Sequence, residues 1–475
     1  MQRKNLFKVL LICVCLTSFN GPCTVEAAFS CDSTKCLPPN CFCPSINPPG
    51  GLALNQTPMF FTFTFDDSIQ NSTLTVVETL LGNRKNPNGC PIKGTYYVST
   101  QYTDYSLVTR WYSSGHEVAD HTMTHVAIPP EDEIIGNKKA LNSFAGIPNG
   151  KMLGFRTPFL NYTPETFNYL AEQGFLYDSS VTSVGSDDSW PYTLDNGLFH
   201  DCDKGFCNAT TKHPGMFEIP MSSILDSSGV SHLMDPYLDG EPNVVEKWLK
   251  DNFNRHLNEG KVPFGLYIHP VQLTAITGRP DPAPRIKMLQ DFLDWAIAQP
   301  NVWFVTSQQL IAWMKNPVPV SQLNTYEPFQ CKIPKVGTEI CNGLDDTGSG
   351  KIDAGLTESC NFNTEIWSTC YGCPSAKPSP ANPVPSGGNR FRVPTTCDTA
   401  WWDPIKGVCM CKDATCSYTD LSQIPSTNTN NTPSSTSSGG TSVTGGSVKN
   451  SGVMKMINPG FSAVLTVVIS WILLF

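Results

Sequence analysis

Five times along this chain a short apolar run, rich in aromatic and β-branched residues, stops on polar side chains that can do chemistry. These segments are Met59–Asp67, Gly115–His125, Leu153–Leu160, Phe175–Val181 and Phe264–Pro270. In the first, Phe and Thr alternate with period two before ending on two carboxylates, the pattern of a strand packed between two layers. Further strands are expected near Gly94–Val98, Met216–Pro220 and Val302–Thr306. Helical stretches are expected at Thr73–Leu81, Tyr105–Ser113, Pro164–Gln173, Asn243–Asn258 and Pro284–Gln299. About seven or eight βα units between Leu52 and Pro317 predict an α/β fold with a barrel of parallel strands, whose carboxyl ends gather the active site.

At those ends the candidates are few. Asp66 and Asp67 close the first strand; alone, paired acids there are as well explained by a turn or a helix cap. His121 and His125 stand four residues apart after the second strand, and His269 follows another. Two neutral imidazoles with one carboxylate make a three-ligand site for zinc or a similar divalent ion, with a fourth position open to water. No Glu lies between the two His, so this is not the His-Glu-x-x-His pattern of metalloproteases, and a base must come from elsewhere. Asp66 is available.

The order Thr64-Phe65-Asp66-Asp67, His121-Thr122-Met123-Thr124-His125, Arg156-Thr157-Pro158-Phe159, Asp178 with Trp190, and Leu266-Tyr267-Ile268-His269-Pro270 resembles the five motifs of the polysaccharide deacetylases of carbohydrate esterase family four, the NodB-type domain. The last departs by one residue, because the family pattern places Leu two before the His. For the fourth, Asp187-Asp188-Ser189-Trp190 is a rival match. Asn86–Ile92, Arg156–Leu160, Tyr177–Ser180 and Trp190–Asp195 look most like animal chitin deacetylases, and the resemblance covers Cys31 to Pro317.

This resemblance implies a deformed (β/α)7-8 barrel and a divalent metal, Zn2+ with Co2+ as the alternative, on Asp67, His121 and His125. Asp66 is then the catalytic base and Arg156 its bidentate partner, His269 protonates the departing amine, and the Phe159 N–H faces the oxyanion. Asp178, Trp190 and Leu266 join Phe159 as substrate-binding residues, with Trp190 and Leu266 walling the methyl pocket. The implied substrate is chitin or a related N-acetylglucosamine polymer. The rivals are acetylated xylan or peptidoglycan as substrate, or a non-catalytic chitin-binding protein, which would need a missing ligand or base.

Outside the barrel (52–317) the texture changes. Residues 1–28, basic then apolar then small, read as a secretory signal. Its removal takes Cys13, Cys15 and Cys23 and leaves sixteen of nineteen cysteines, suited to an oxidising compartment. Sequons at Asn55, Asn71, Asn161, Asn208 and Asn430 agree with that route. Residues 29–51 form a Cys/Pro-rich lead-in and 326–420 a Cys-rich C-terminal module. Seven mature cysteines precede that module and nine lie within it, so full pairing requires a bridge between the two sets, and Cys331 returning to the barrel is the expected one. Asp345–Asp353 looks like a calcium loop but lacks the twelfth-place acid, so a polar turn is the better reading. Trp401 and Trp402 fit a small core better than a sugar platform.

Residues 421–452 form a Ser/Thr-rich stalk. Residues 453–475, with small residues at Asn450-Ser451-Gly452 and an apolar end from Phe461, match a glycosylphosphatidylinositol (GPI) signal. The expected location is the cell surface, lipid-anchored to the plasma membrane, with transfer to the cell wall as a further destination. The net charge of −9 argues against nucleic acid as a partner.

Overall fold

The computed structural model describes residues 29–200, 212–331, 340–345, 347–350, 357–363 and 365–386, with the backbone of 402–403 and 408–409. The signal, stalk and tail segments, Cys202, Cys207, the Trp401 and Trp402 side chains, and the sequons at Asn208 and Asn430 lie outside the described residues.

Strand β1 (Met59–Asp67) has the bounds expected from its alternation. It is followed by α1 (Asn71–Leu81), β2 (Thr95–Val98), α2 (Tyr105–Ser113), β3 (Glu117–Asp120), α3 (Glu131–Ala145), β4 (Gly154–Phe155), α4 (Pro164–Glu172) and β5 (Tyr177–Asp178). Then come the short strands β6 (Thr182–Ser183) and β7 (Tyr192–Leu194), β8 (His213–Glu218), β9 (Met221–Ser222) and a hairpin of β10 (Ile224–Leu225) and β11 (Ser231–His232). Helix α5 (Pro242–Asn258), β12 (Phe264–Ile268), α6 (Ala283–Ile297), β13 (Val302–Val305) and α7 (Ser307–Lys315) complete the barrel.

The main sheet runs β12-β1-β2-β3-β4-β5-β8-β7, with β13 also on β1. Strand β1 is its hub. One edge pairs with β12 over Phe61–Phe65, and the other is shared by β13 over Met59–Thr62 and β2 over Thr64–Asp67. Every ladder is parallel except β7 on β8. Between β8 and β12 the described residues close the ring without a continuous ladder. There Ser222 N–H donates to the Tyr267 hydroxyl at 3.0 Å, and Met234 bridges Tyr267. The barrel is deformed at this seam.

Alternation along β1 divides the core. Phe61, Phe63 and Phe65 pack outward on Leu74, Val77, Leu289 and Phe292 of the helices. Phe60 turns inward with Tyr97, Tyr177, Phe217 and Trp303, and Asp66, three inward positions above Phe60, reaches the mouth. Helices α3 and α7 were not expected from periodicity. In α3 the buried face carries Glu133, Gly136, Asn137, Asn142 and Ser143, which blur the apolar repeat. Helix α7 starts directly after β13, capped by Thr306, which accepts from Gln309 N.

The lead-in is stapled by Cys31–Cys43 and Cys36–Cys41 and lies along β7, exchanging bonds between Phe42 and Thr193. Cys90–Cys331 joins the barrel to the chain beyond it across 241 residues. Past it, Cys341–Cys370 and Cys360–Cys373 hold a strap that contains β14 (Glu358–Asn361) and β15 (Ile366–Thr369). The strap docks through Trp367, whose ring lies 4.7 Å from Tyr105 and 5.6 Å from Phe144. Gly146, at φ 70°, is where a side chain would strike the Tyr371 ring. Asp345 turns its carboxylate onto its own loop, accepting from Ser349 N and Gly350 N, as a polar turn does.

Candidate active site

The strand tips converge. Asp67 Oδ1 lies 3.1 Å from His125 Nε2 and 3.6 Å from His121 Nε2, one compact group of potential metal ligands. His121 is buried, and its Nδ1–H donates to the Arg156 carbonyl at 2.7 Å, which turns the Nε2 lone pair into the site. That Nε2 and Asp67 Oδ1 are both buried without a hydrogen-bond partner. Burial above all, against the pull of Asp66 and Asp67, lowers His121 to about 4, so the ring is neutral at ordinary pH. Burial opposes the Asp67 charge, but the His125 ring 3.1 Å away and the fields of His269 and His121 hold the carboxyl well below its usual range. A neutral imidazole and an ionised carboxylate with unsatisfied buried atoms are what a divalent cation requires. The donor set fits a metal.

Asp66 is buried beside this cluster and accepts from Arg156 Nη1 at 2.7 Å. The contact is single, not the bidentate fork expected. Arg156, fully buried, spreads its donors because neighbouring acceptors compete: Nη1 also reaches Thr64 Oγ1, while Nε and Nη2 bond the carbonyl and hydroxyl of Ser179. Its guanidinium lies 4.0 Å over the Tyr97 ring and 5.2 Å from that of Tyr267.

His269 enters from β12. Its Nδ1 is 2.6 Å from Asp235 Oδ2, and its backbone N–H donates to Asp235 Oδ1 at 2.7 Å. Burial opposes the imidazolium, yet the bond and charge of Asp235, with the fields of Asp67 and Asp66, lift His269 to about 9. Asp235 was missed in the sequence. It stands 34 residues from His269, and the one available signal is the turn-forming Asp235-Pro236 pair.

The expected pocket residues are not brought together. Phe159 is at the lip, 59% exposed, in a left-handed turn (φ 57°) with its ring 4.6 Å from that of His125. Asp178 pairs in register with Phe155 and Glu218 on the helix-facing side of the sheet, opposite to inward Tyr177. There it accepts from Ser180 N and Ser180 Oγ, and Ser180 Oγ in turn accepts from Thr157 N, so Asp178 braces the Arg156 loop from behind. Leu266 also faces outward, in register with Phe63, because alternation from His269 puts Tyr267 on the inner face instead. Trp190 packs on Phe60 and stacks on Trp313 inside the barrel, about 20 Å below the tip of β1 at ~3.3 Å per residue. It is core, not a methyl pocket. The rival Asp188 is committed to Arg255 at 2.6 Å.

Strain gathers at the mouth. Asp67, Tyr102, Thr122, His125, Ile128, Phe159, Leu160 and Asp235 all have positive φ, a conformation that costs about 1–3 kcal/mol each and persists where surroundings enforce it. Tyr102, Ile128, Phe159, Leu238 and Val271, on loops that follow the strand tips, leave apolar surface exposed.

The polysaccharide deacetylase family model matches residues 55–177. Chitin deacetylase 1 of Bombyx mori is 33% identical over 341 residues, spanning 66% of this chain and 61% of that protein. Chitin deacetylase 8 of Bombyx mori is 32% identical over 377 residues, spanning 75% of this chain and 93% of that protein. A crystal structure described as a polysaccharide deacetylase from Mycobacterium smegmatis aligns at 23% identity over 58% of this chain and 95% of its own, with a TM-score of 0.41. With similarity running through nearly the whole of the second relative and all five strand-tip motifs in order, the chain belongs to the polysaccharide deacetylase family, a family of deacetylating hydrolases.

Proposed function

We propose that this chain is a metal-dependent chitin deacetylase, hydrolysing the N-acetyl groups of an N-acetylglucosamine polymer to give acetate and a free-amine polymer. The observation that carries the reading is one barrel mouth holding the Asp67, His121 and His125 cluster, Asp66 tethered by Arg156, and His269 oriented by Asp235. Zn2+, for which N/O donors of this kind are suited, would supply Lewis acidity toward the acetamide carbonyl and the attacking water. Asp66 takes a proton from water as it adds to the carbonyl carbon, and Arg156 fixes the carboxylate that receives it. As the C–N bond breaks, His269 passes its Nε2 proton to the departing amine nitrogen. The Phe159 N–H, at the lip, faces the developing oxyanion.

The chitin assignment draws on the two silkworm relatives, on the apolar rim, which suits the faces of neutral sugar rings, and on the net negative charge, which disfavours acidic polymers. The N-terminal signal, stalk and apolar tail support a lipid-anchored location facing such a polymer. Release from cells by phosphatidylinositol-specific phospholipase tests that location; a protein that stays on the membrane refutes it. Acetate release from chitin oligomers, acetylated xylan and peptidoglycan, with chelator and after Zn2+ is restored, tests the activity. Chelator-insensitive turnover, or acetate from xylan or peptidoglycan alone, sinks the reading.

A further inference from the structure

Between His121 and His125 the chain makes a turn with two left-handed residues, Thr122 at φ 65° and His125 at φ 55°. Neither is Gly, so an outside template must hold the turn. The template is on α3. Glu133, buried in the third position of that helix, accepts through Oε2 from Met123 N at 3.0 Å and from Thr124 N at 2.8 Å, and through Oε1 from the Thr124 hydroxyl. Its own carbonyl accepts from Met123 N as well, at 3.1 Å. Among the described residues Glu133 makes no ion pair, so the donors of the metal loop are what this buried carboxylate is matched to. One turn on, Asn137 binds the Val98 carbonyl at 2.7 Å, Asp120 Oδ1 at 3.1 Å and Thr100 N at 3.1 Å, and Asp120 Oδ1 accepts from Thr122 N. The loops after β2 and β3 are thus read out on a single helix.

We propose that Glu133 is a positioning residue for the metal centre, its carboxylate setting the spacing of His121 and His125 before any cation arrives. This rests on the reading of Asp67, His121 and His125 as metal ligands. A side chain that bonds a metal loop without touching the cation acts by pre-organisation, and loss of such partners weakens metal binding by about 10–100-fold. Glu is suited to the place because one oxygen accepts two adjacent N–H groups while the other takes the hydroxyl. Gln keeps the first function through its amide oxygen and turns the second around, donating its NH2 to the Thr124 oxygen.

The test uses the full chain, stripped and titrated with Co2+ against a competing chelator, with the visible spectrum of bound Co2+ as the second readout. Glu133→Ala is expected to raise the Co2+ Kd by about 10–100-fold and to alter the ligand-field bands, while Glu133→Gln stays within about threefold of the parent. Unchanged affinity and spectrum in Glu133→Ala overturn the proposal, and so does an equal loss in both variants, which would make the charge and not the template responsible. If Glu133→Ala does not fold, Thr124→Val decides: it removes one donor and leaves α3 intact, a rise in Kd of about threefold is expected, and unchanged or tighter binding overturns the proposal. His125→Ala separates the two levels of the argument, since retention of Co2+ there removes the metal assignment itself, whatever Glu133 does.

Discussion

Replacing Asp235 by Asn removes one charge while leaving an oxygen for the His269 and Tyr237 donors, so its effect falls on the Nδ1 side of His269. In the folded protein Asp235 is the main reason that His269 reaches about 9 despite burial, which by itself pushes imidazoles down. Without it His269 moves back down toward the ordinary value of about 6.5. The working form for amine departure is protonated, so activity is present below the folded pKa and lost as pH rises through it. At pH 8 a group with pKa near 9 is about 90% protonated and one near 6.5 about 3%, a loss of about 30-fold. A cation on Asp67 cancels that carboxylate's share and draws the wild-type alkaline limb somewhat below 9, but the Asp235 bond remains. The assay is the pH dependence of kcat/KM for acetate release from chitin oligomers. The alkaline limb of Asp235→Asn should move down by up to about two units, with bound metal unchanged. An unmoved limb would refute the coupling of Asp235 to His269.

Metal content of Asp66→Asn and Asp67→Asn should separate the twin acids: the first keeps its cation and loses turnover, the second loses affinity for the cation, and equal losses would contradict the assigned roles. Trp190→Ala should cost about 3–5 kcal/mol in urea unfolding, the usual range for a buried Trp, with little change in KM for chitin oligomers in the folded fraction; a selective rise in KM would return Trp190 to the pocket. Cys90→Ser with Cys331→Ser, which opens a 241-residue loop, should lose about 2–5 kcal/mol and lower Tm, and an unchanged Tm would show that the bridge contributes nothing.

What was legible in the sequence is what the strand period and the motif order carry. Met59–Asp67 reads as a strand because its alternation is clean and its end is charged, and cysteine parity demanded a bridge such as Cys90–Cys331. Asp178, Leu266 and Trp190 were assigned by closeness to motifs, whereas their faces are set by alternation. Counting by twos from His269 selects Tyr267 and excludes Leu266, and inward Tyr177 sends Asp178 to the helix side. Trp190 lies on a connection that dives into the barrel, which no period describes. Asp235 and Glu133 stayed hidden for another reason. Each serves a partner reached through a loop rather than along a strand, and α3, which carries Glu133, buries polar groups where a helix pattern calls for apolar ones.

The docking of Trp367 between Tyr105 and Phe144 bears on how the protein is made. The Thr369 hydroxyl bonds the Phe144 carbonyl from 225 residues further along, so the ribosome releases the barrel's aromatic face long before the segment that covers it. During that interval Tyr105 and Phe144 lack their cover, and exposed apolar surface on a partly built chain is where aggregation starts. Chains cut short after the last barrel helix keep all the residues of the proposed chemistry yet lose Trp367. Their fate is decided by solubility, not by the integrity of the mouth.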